Sequence, residues 1–278
     1  MSFSYSTIAI EKWKLHDFMG IVDAFENDYV DKVSGMSLPC QENYHTILLN
    51  IGGKAILTTR ELLTLCAHGY PDGALSLARN LYEQMILAAY FTKHKKDPEF
   101  SDIVMAYFKD YDVRRYKLLS FFHKAIGKDD NYAQSIEDSL NTIKTETGDK
   151  LKRDYWWADQ NSFAEMALSF INSEPDEGYK IFLATLHATY KRACLSLHAS
   201  CIGNAARLDT DSGLWTIDTS PTLKGFGAPL WFAAASLIPV IGTLCHEFGV
   251  DYQKYKDPLN NLAILYRECQ ESEEEPEE

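Results

Sequence analysis

Helical periodicity is the feature that most constrains how this chain of 278 residues can fold. In the segment 8–33, apolar residues recur at steps of three to five, as Trp13, Phe18, Val22, Phe25 and Tyr29 show. Such spacing places side chains on one face of an α-helix, whereas a half-buried strand requires alternation with a period of two. No long segment of the chain alternates in that way. The sequence therefore predicts an all-α fold, a multi-helix bundle.

Glycine, proline and polar clusters divide the remaining periodic segments. We expect helices at 44–67 and 74–94, a fourth from 98 to about 122, and a less apolar fifth that ends at about 147. Further helices are expected at 162–171, 179–202, 230–248 and 257–269. Asp72 is the predicted N-cap of the third helix, and Gly52–Gly53 marks a kink or a close contact in the second. The segment 148–161, with Trp156 and Trp157, is predicted to be a structured loop with aromatic anchors. Residues 203–221 are predicted to form a polar surface excursion.

The stretch from Gly225 to Cys245 contains 21 residues without a charge. It is long enough to span a bilayer. Glycines and prolines interrupt it, however, and no Lys or Arg cluster flanks it to set an orientation. A buried core helix is therefore favoured over a membrane segment, because helices that are apolar all round also occur inside large domains. We expect no membrane association.

The formal net charge of −13 is concentrated at the carboxyl end. The last eight residues hold six carboxylates, so the rest of the chain carries −7. We expect one helical domain over 1–269 and a disordered acidic tail over 270–278. An acidic chain repels polyphosphate at long range, which disfavours broad nonspecific binding of nucleic acid but leaves room for one local site.

Six cysteines occur in the chain, at positions 40, 66, 194, 201, 245 and 269. None forms a C-x-x-C pair, and the first residues lack the basic and apolar regions of a secretory signal. We therefore expect reduced thiols and a cytoplasmic location. Phosphate loops, dinucleotide fingerprints, H-E-x-x-H and G-x-S-x-G are absent from the sequence, so the enzymes that depend on them are disfavoured.

Two pairs of residues can carry chemistry. Arg192 and His198 follow each other with five residues between them, and such a pair can cleave RNA without a metal. The histidine would transfer a proton and the arginine would stabilise charge on the phosphorane. Arg79 and Glu83 are one helical turn apart in an apolar segment, so they form either a structural ion pair or part of a site.

A metal site is the weaker alternative. His187, Cys194, His198 and Cys201 fall on one helical stripe, and neutral His and Cys are ligands of zinc. The stripe is about 21 Å long at the standard helical rise, so one ion cannot bind all four. A packed core face explains the stripe better, and we expect no metal and no cofactor.

Several short motifs, in this order, resemble a widespread bacterial family of helical proteins of unknown function. They are Leu77-Ala-Arg-Asn-Leu-Tyr-Glu83, Tyr155-Trp-Trp-Ala158, Ser162-Phe-Ala-Glu-Met-Ala167 and the stretch from Tyr190 to Ser196-Leu-His198. The similarity covers residues 45 to about 205. That family is similar in turn to the HEPN (higher eukaryotes and prokaryotes nucleotide-binding) superfamily of all-α proteins, many of which are dimeric, metal-independent ribonucleases.

The resemblance implies a HEPN-like core with extra helices at both ends of the chain. It implies that Arg192 and His198 match the R-x(4–6)-H motif, and that Glu83 matches an acidic residue on an earlier helix. The first hypothesis is therefore a homodimeric endoribonuclease of toxin or phage-defence type, in which Arg79 and Glu83 position the Arg192–His198 pair. The second is a non-catalytic helical module that binds a partner protein or a nucleotide. A membrane-associated protein is a third and weaker hypothesis.

Overall fold

A computed structural model shows how the helices of this chain pack. It describes residues 11–36, 43–126, 153–197, 207–209, 214–216 and 225–274, together with Asp138, Asn141, Thr142 and Thr145. Within this part of the chain there are eight long helices: α1 (Leu15–Ser34), α2 (Tyr44–Ala67), α3 (Pro71–His94), α4 (Phe100–Ile126), α5 (Phe163–Asn172), α6 (Glu177–Leu197), α7 (Gly227–Phe248) and α8 (Gln253–Glu274). The all-α prediction is confirmed.

One small hairpin departs from the helical pattern. Strands β1 (Arg207–Asp209) and β2 (Leu214–Thr216) pair antiparallel, with Leu208 opposite Trp215. The hairpin lies within the predicted polar excursion. Strands of three residues are too short for period-two alternation to be read from sequence.

Helix boundaries follow local chemistry. Helix α2 has the predicted bounds, but α3 begins at Pro71 and Asp72 lies within its first turn, so the N-cap prediction for Asp72 is wrong. Proline suits the first helical position, because its missing N–H has no partner there in any case.

At the start of α5, Ser162 is the N-cap and accepts a hydrogen bond from the backbone N–H of Glu165. Glu165 in turn accepts one from the N–H of Asn161, close to a capping box.

Contacts along the backbone divide the chain into two compact units. The first comprises 1–39, 48–89 and 174–278, and the second comprises 40–47 and 90–173. In the first unit, α7 and α8 have the most extensive helix pairing, and α1 packs on both. The Tyr266 hydroxyl of α8 donates to the carbonyl of Trp13, and Lys254 of α8 forms an ion pair with Asp28 of α1.

Helix α7 is the centre of the first unit. Most of its side chains are buried, including Leu230, Trp231, Phe232 and Phe248. Within the described residues it is the one helix long and apolar enough to cross a membrane, and 72% of its most apolar window is buried in the fold. A core helix of a folded domain can be as long and as apolar as a membrane-spanning helix. The burial of α7 therefore supports the interpretation that it is a core helix.

Gly52 packs tightly against this centre. A Cβ atom at Gly52 would lie 3.0 Å from Leu244 Cδ1 and 3.1 Å from the Tyr29 hydroxyl, whereas one at Gly53 would meet nothing within 4 Å. Helix α2 continues through both glycines. Of the two interpretations left open by the sequence, close packing applies to Gly52.

The second unit is built on aromatic side chains. Trp156 and Trp157 lie in a buried 3₁₀ turn (Trp156–Ala158), which confirms the predicted aromatic anchors. The ring of Trp157 stacks on Phe91 at 5.4 Å, and the indole N–H of Trp156 donates to Asp110 at 2.7 Å. The side chain of Arg114 bonds the other oxygen of Asp110. A buried carboxylate thus fixes the tryptophan turn to α4.

The carboxyl-terminal helix is longer than expected. Helix α8 continues to Glu274, which is five residues into the predicted acidic tail. Residues 275–278 lie outside the described part of the chain.

Candidate functional site

Helix α3 places Arg79 and Glu83 one turn apart on the same face. Arg79 Nη2 and Glu83 Oε1 are 2.9 Å apart, and the two side chains are 29% and 25% exposed. Each side chain is therefore mostly buried but remains partly accessible to solvent. The intrahelical ion pair, one of the two interpretations that the sequence left open, is present.

Tyr190 of helix α6 joins this pair. Its hydroxyl donates a hydrogen bond to Glu83 Oε1 at 3.2 Å, the oxygen that also faces Arg79. The guanidinium of Arg79 lies over the Tyr190 ring, 5.5 Å from its centroid, in a cation–π contact. The three side chains therefore link α3 to α6 through one carboxylate oxygen.

A second, deeper contact lies beside the first. The Tyr82 hydroxyl and His187 Nδ1 are 3.1 Å apart in a buried hydrogen bond between α3 and α6. The His187 ring stacks on Tyr190 at 5.7 Å, and the Tyr82 ring is 5.2 Å from that of Tyr190 and 5.6 Å from Phe232 of α7. We call Arg79, Tyr82, Glu83, His187 and Tyr190 the polar cluster.

Burial decides the protonation of the cluster. It lowers the pKa of His187, and the nearby ammonium of Lys191 lowers it further, so the ring is neutral near pH 7. Burial raises the pKa of Tyr190, and so does the neighbouring charge of Glu83. The Tyr190 hydroxyl is therefore held as a hydrogen-bond donor.

Arg79 keeps its positive charge. Burial opposes that charge, but Glu83 and Tyr190 outweigh it, so the pKa of Arg79 is raised. Its Nε–H is buried and has no hydrogen-bond acceptor within the described structure. Arg79 thus has an unused donor beside a fixed carboxylate, a combination that can hold a neighbouring group in place.

Of the predicted catalytic pair, Arg192 lies on α6 but outside the polar cluster. Arg192 is exposed, and its position two residues after Tyr190 places it about 160° around the helix from that side chain. The polar cluster therefore brings together Arg79 and Glu83 but not Arg192. His198 lies outside the described residues.

Three members of the cluster were not predicted as site residues. Tyr82 and Tyr190 are polar side chains on otherwise apolar helix faces, and His187 was considered only as a metal ligand. Polar side chains that interrupt the apolar faces of α3 and α6 can indicate a buried polar site. The pairing of Tyr82 with His187, however, joins residues 105 positions apart, so local spacing could not predict it.

The stripe considered for zinc is partly described. His187 is engaged by Tyr82, and Cys194 is a partly buried free thiol, while Cys201 and His198 lie outside the described residues. In the part of the chain that the structure describes, no three His, Cys, Asp or Glu residues are grouped as metal ligands would be.

A groove of about 480 Å³ lies between α1 and α8, away from the cluster. Its lining combines Lys14, Asp17 and Asn261 with apolar side chains such as Ile21 and Leu262. None of the candidate site residues borders it. Its volume is within the range of ligand pockets, but volume alone assigns no chemistry.

These observations define a helical protein with a half-buried Arg–Glu–Tyr cluster between two helices. The chain belongs to a family of unknown function, DUF5677, whose profile matches residues 45–214. No curated protein and no solved structure matches this chain. The matched range includes the polar cluster and the tryptophan turn, whereas every residue that lines the α1–α8 groove lies outside it. The matched range extends from the start of α2 to the hairpin that follows α6.

Proposed function

We propose that this protein is a metal-independent, HEPN-like endoribonuclease of toxin or phage-defence type, which acts as a cytoplasmic homodimer. His198 is the general acid and base, and Arg192 stabilises the phosphorane. Glu83 and Arg79 are positioning residues. The support for this assignment is chemical, since an arginine and a histidine suffice for phosphodiester cleavage through a 2′-hydroxyl.

One observation carries the positioning role. The Tyr190 hydroxyl is bonded to Glu83 only two residues before Arg192. The Arg79–Glu83 pair thereby holds the segment of α6 that carries the exposed residue Arg192. A fixed backbone beside an exposed arginine is what a site for one phosphate requires.

The test is cleavage of a labelled single-stranded RNA by the purified full chain in the presence of EDTA. We expect cleavage, and we expect Arg192→Ala and His198→Ala each to reduce its rate at least a hundredfold. Lys191→Ala is the matched control, because Lys191 is a neighbouring exposed cation on the same helix. Equal rates for all three variants would refute the proposal.

Expression in cells gives an independent measurement. A toxin-type ribonuclease arrests growth when it is induced, and both alanine variants should relieve the arrest while Lys191→Ala does not. Growth that is unaffected by the unsubstituted chain would contradict the toxin assignment but not the cleavage chemistry.

A second candidate function rests on the same cluster. Glu83 is engaged by both Arg79 and Tyr190, and Arg192 is on another face of α6, which suits a non-catalytic module that binds a protein or a nucleotide. In this case fluorescently labelled ATP or GTP should bind without RNA being cleaved, and Arg79→Ala should weaken the binding. Binding that Arg79→Ala leaves unchanged would count against this use of the cluster.

A further inference from the structure

Helix α4 exposes three large apolar side chains on one face. Tyr111, Leu118 and Phe121 are 71%, 69% and 72% exposed, and no other large apolar side chain in the part of the chain that the structure describes is as exposed. At 100° per residue they fall within about 80° of the helix circumference, and about 15 Å of helix separates the first from the last. We call them the α4 ridge. Single exposed apolar residues are common, whereas several on one face mark an interaction site.

Cations border the α4 ridge. Arg114 lies within the same sector of the helix, and Arg115 and Lys117 lie about 40° beyond its two edges. All three are exposed. Arg114 is paired with Asp110 and Lys117 with Asp154, but their side chains remain 55% and 46% exposed. Each can therefore contact a further anionic group beside the ridge.

The segment that carries the ridge is positive in a negative chain. Residues 109–126 contain five Lys or Arg and two Asp, which gives a net charge of +3, whereas the whole chain carries −13. Of the two aspartates, Asp110 is buried and bonded to Arg114, and Asp112 lies about 100° around the helix from Tyr111. The ridge is thus complementary to an anionic partner at close range. Repulsion by the rest of the chain is screened beyond about 8 to 10 Å in salt.

The extent of the ridge favours a lipid surface as the partner. Three side chains on one helix offer much less area than the roughly 800 Å² per partner of a stable protein interface. A bilayer requires no complementary shape, because apolar side chains enter the boundary between headgroups and acyl chains while Arg and Lys reach the phosphates. Tyrosine is typical of that boundary. Leu118 lies between the two aromatic residues and offers no ring on which an RNA base could stack.

We propose that the α4 ridge inserts into the surface of a bilayer that contains anionic lipids, while the bordering cations contact the lipid phosphates. The contact is peripheral and reversible, because three side chains do not anchor a protein permanently. The expectation of no membrane association concerned the apolar segment 225–245, most of which is buried in α7. Binding through α4 involves a different surface, and it does not depend on RNA cleavage.

Co-sedimentation of the full chain with lipid vesicles tests the proposal. Vesicles of phosphatidylcholine with about a quarter phosphatidylserine should bind the chain at least about tenfold more tightly than phosphatidylcholine alone. Leu118→Gln and Phe121→Gln should each weaken this binding at least about fivefold, because each removes an inserted apolar side chain. Ile264→Gln is the matched control, since Ile264 is an exposed isoleucine on α8. Equal binding to the two kinds of vesicle, or an equal loss in all three variants, would overturn the proposal.

The contribution of the cations is tested separately. Arg115→Gln should weaken binding about fivefold, which is the effect of one cation close to an anionic leaflet. Raising the salt concentration should weaken binding of the unsubstituted chain and reduce its advantage over Arg115→Gln. Lys256→Gln, at an exposed lysine of α8, is the matched control. An Arg115→Gln variant that binds as tightly as the unsubstituted chain would refute the proposed contact with anionic headgroups.

Fluorescence quenching by lipids with brominated acyl chains tests insertion while it keeps the ridge apolar. Phe121→Trp places an indole on the ridge, so its fluorescence in excess of that of the five native tryptophans should be quenched in anionic vesicles. The excess fluorescence of Ile264→Trp should not be quenched. Quenching that is equal in the two variants would contradict insertion through α4.

Three further results separate this proposal from its alternatives. If the chain does not bind vesicles but forms a dimer that Phe121→Gln dissociates, the ridge binds a second copy and the lipid proposal fails. If the chain binds labelled RNA but not vesicles, and Leu118→Gln abolishes RNA binding, the ridge is an RNA surface and the lipid proposal also fails. If vesicle binding behaves as expected while RNA is not cleaved, the ribonuclease proposal fails and the lipid contact stands.

Discussion

The hydroxyl of Tyr190 donates a hydrogen bond to Glu83 Oε1 across 3.2 Å, although 107 residues separate them in the chain. Glu83 Oε1 is also the oxygen that Arg79 contacts. One carboxylate oxygen is therefore shared by a cation on its own helix and a phenol on another. The link fixes α6 relative to α3 within the first unit.

Replacing Tyr190 by phenylalanine should destabilise the protein modestly. Tyr190→Phe removes the donor to Glu83 but keeps the ring under Arg79, and the loss of one such hydrogen bond costs about 1 kcal/mol. Urea unfolding followed by circular dichroism measures it. Tyr111→Phe is the control, because Tyr111 is 71% exposed and its change should stay below about 0.5 kcal/mol. Equal effects of the two variants would contradict a stabilising role for the Tyr190 hydroxyl.

Arg79 and Glu83 should be energetically coupled. Both are less than a third exposed, so a double-mutant cycle with Arg79→Ala and Glu83→Ala should give a coupling free energy of about 1 kcal/mol. The cycle is measured by urea unfolding of the four proteins. The ion pair between Lys180 and Glu177 on α6 is the comparison, since Glu177 is largely exposed and solvent screens the pair. A coupling no larger than that of Lys180–Glu177 would show that burial adds nothing.

Stability should fall in mildly acidic solution because of His187. Burial lowers its pKa below the ordinary 6.5, so the unfolded chain binds a proton more readily than the folded protein does. Above about pH 6.5 the ring is neutral in both states and its contribution is fully present. As the pH falls below that value, the unfolded state is protonated first and the free energy of unfolding decreases, until the pH has passed the folded pKa.

The measurement is urea unfolding between about pH 7 and about pH 5, comparing the unsubstituted chain with His187→Gln. The free energy of unfolding of the unsubstituted chain minus that of His187→Gln should change with pH over this interval. All other titratable groups are present in both proteins, so their contributions cancel in this difference and only that of His187 remains. His16→Gln, at an exposed position on α1, is the matched control. A pH-independent difference for His187→Gln would contradict the burial of a neutral ring.

Local patterns in the sequence predicted the helices and the Arg79–Glu83 pair, because both depend on residues within a few turns of one another. The bounds of α2 are confirmed for that reason. The anchoring role of Trp156 and Trp157 is confirmed because large aromatic side chains tend to be buried, although their partners Asp110 and Phe91 could not be named from the sequence. Which helix meets which depends on packing across more than a hundred residues, so the contact of Tyr190 with Glu83 was not predicted. The start of α3 was misplaced because a proline at the first helical position looked like a break.

The carboxylate of Asp110 should be essential for the tryptophan turn. It accepts the indole N–H of buried Trp156 at 2.7 Å and is paired with Arg114. Asp110→Ala leaves the indole without an acceptor and should cost about 2 to 3 kcal/mol, whereas Asp110→Asn keeps an acceptor oxygen and should cost less. Urea unfolding measures both variants. If Asp110→Ala costs no more than Asp110→Asn, the hydrogen bond to Trp156 is not what holds the turn.

A side chain at Gly227 should destabilise the protein, because the backbones of α7 and α8 are in close contact there. A Cβ atom at Gly227 would lie 2.7 Å from the backbone nitrogen and Cα of Gln270, and a backbone cannot turn away as a side chain can. Gly227→Ala should therefore separate the two helices and cost about 1 to 3 kcal/mol, even though alanine favours a helix. Gly53→Ala is the matched control within α2, where a Cβ meets nothing within 4 Å. It should instead stabilise the protein by about 0.5 to 1 kcal/mol, so thermal unfolding of the two variants should shift in opposite directions. A shift in the same direction for both would show that α7 and α8 can move apart at little cost.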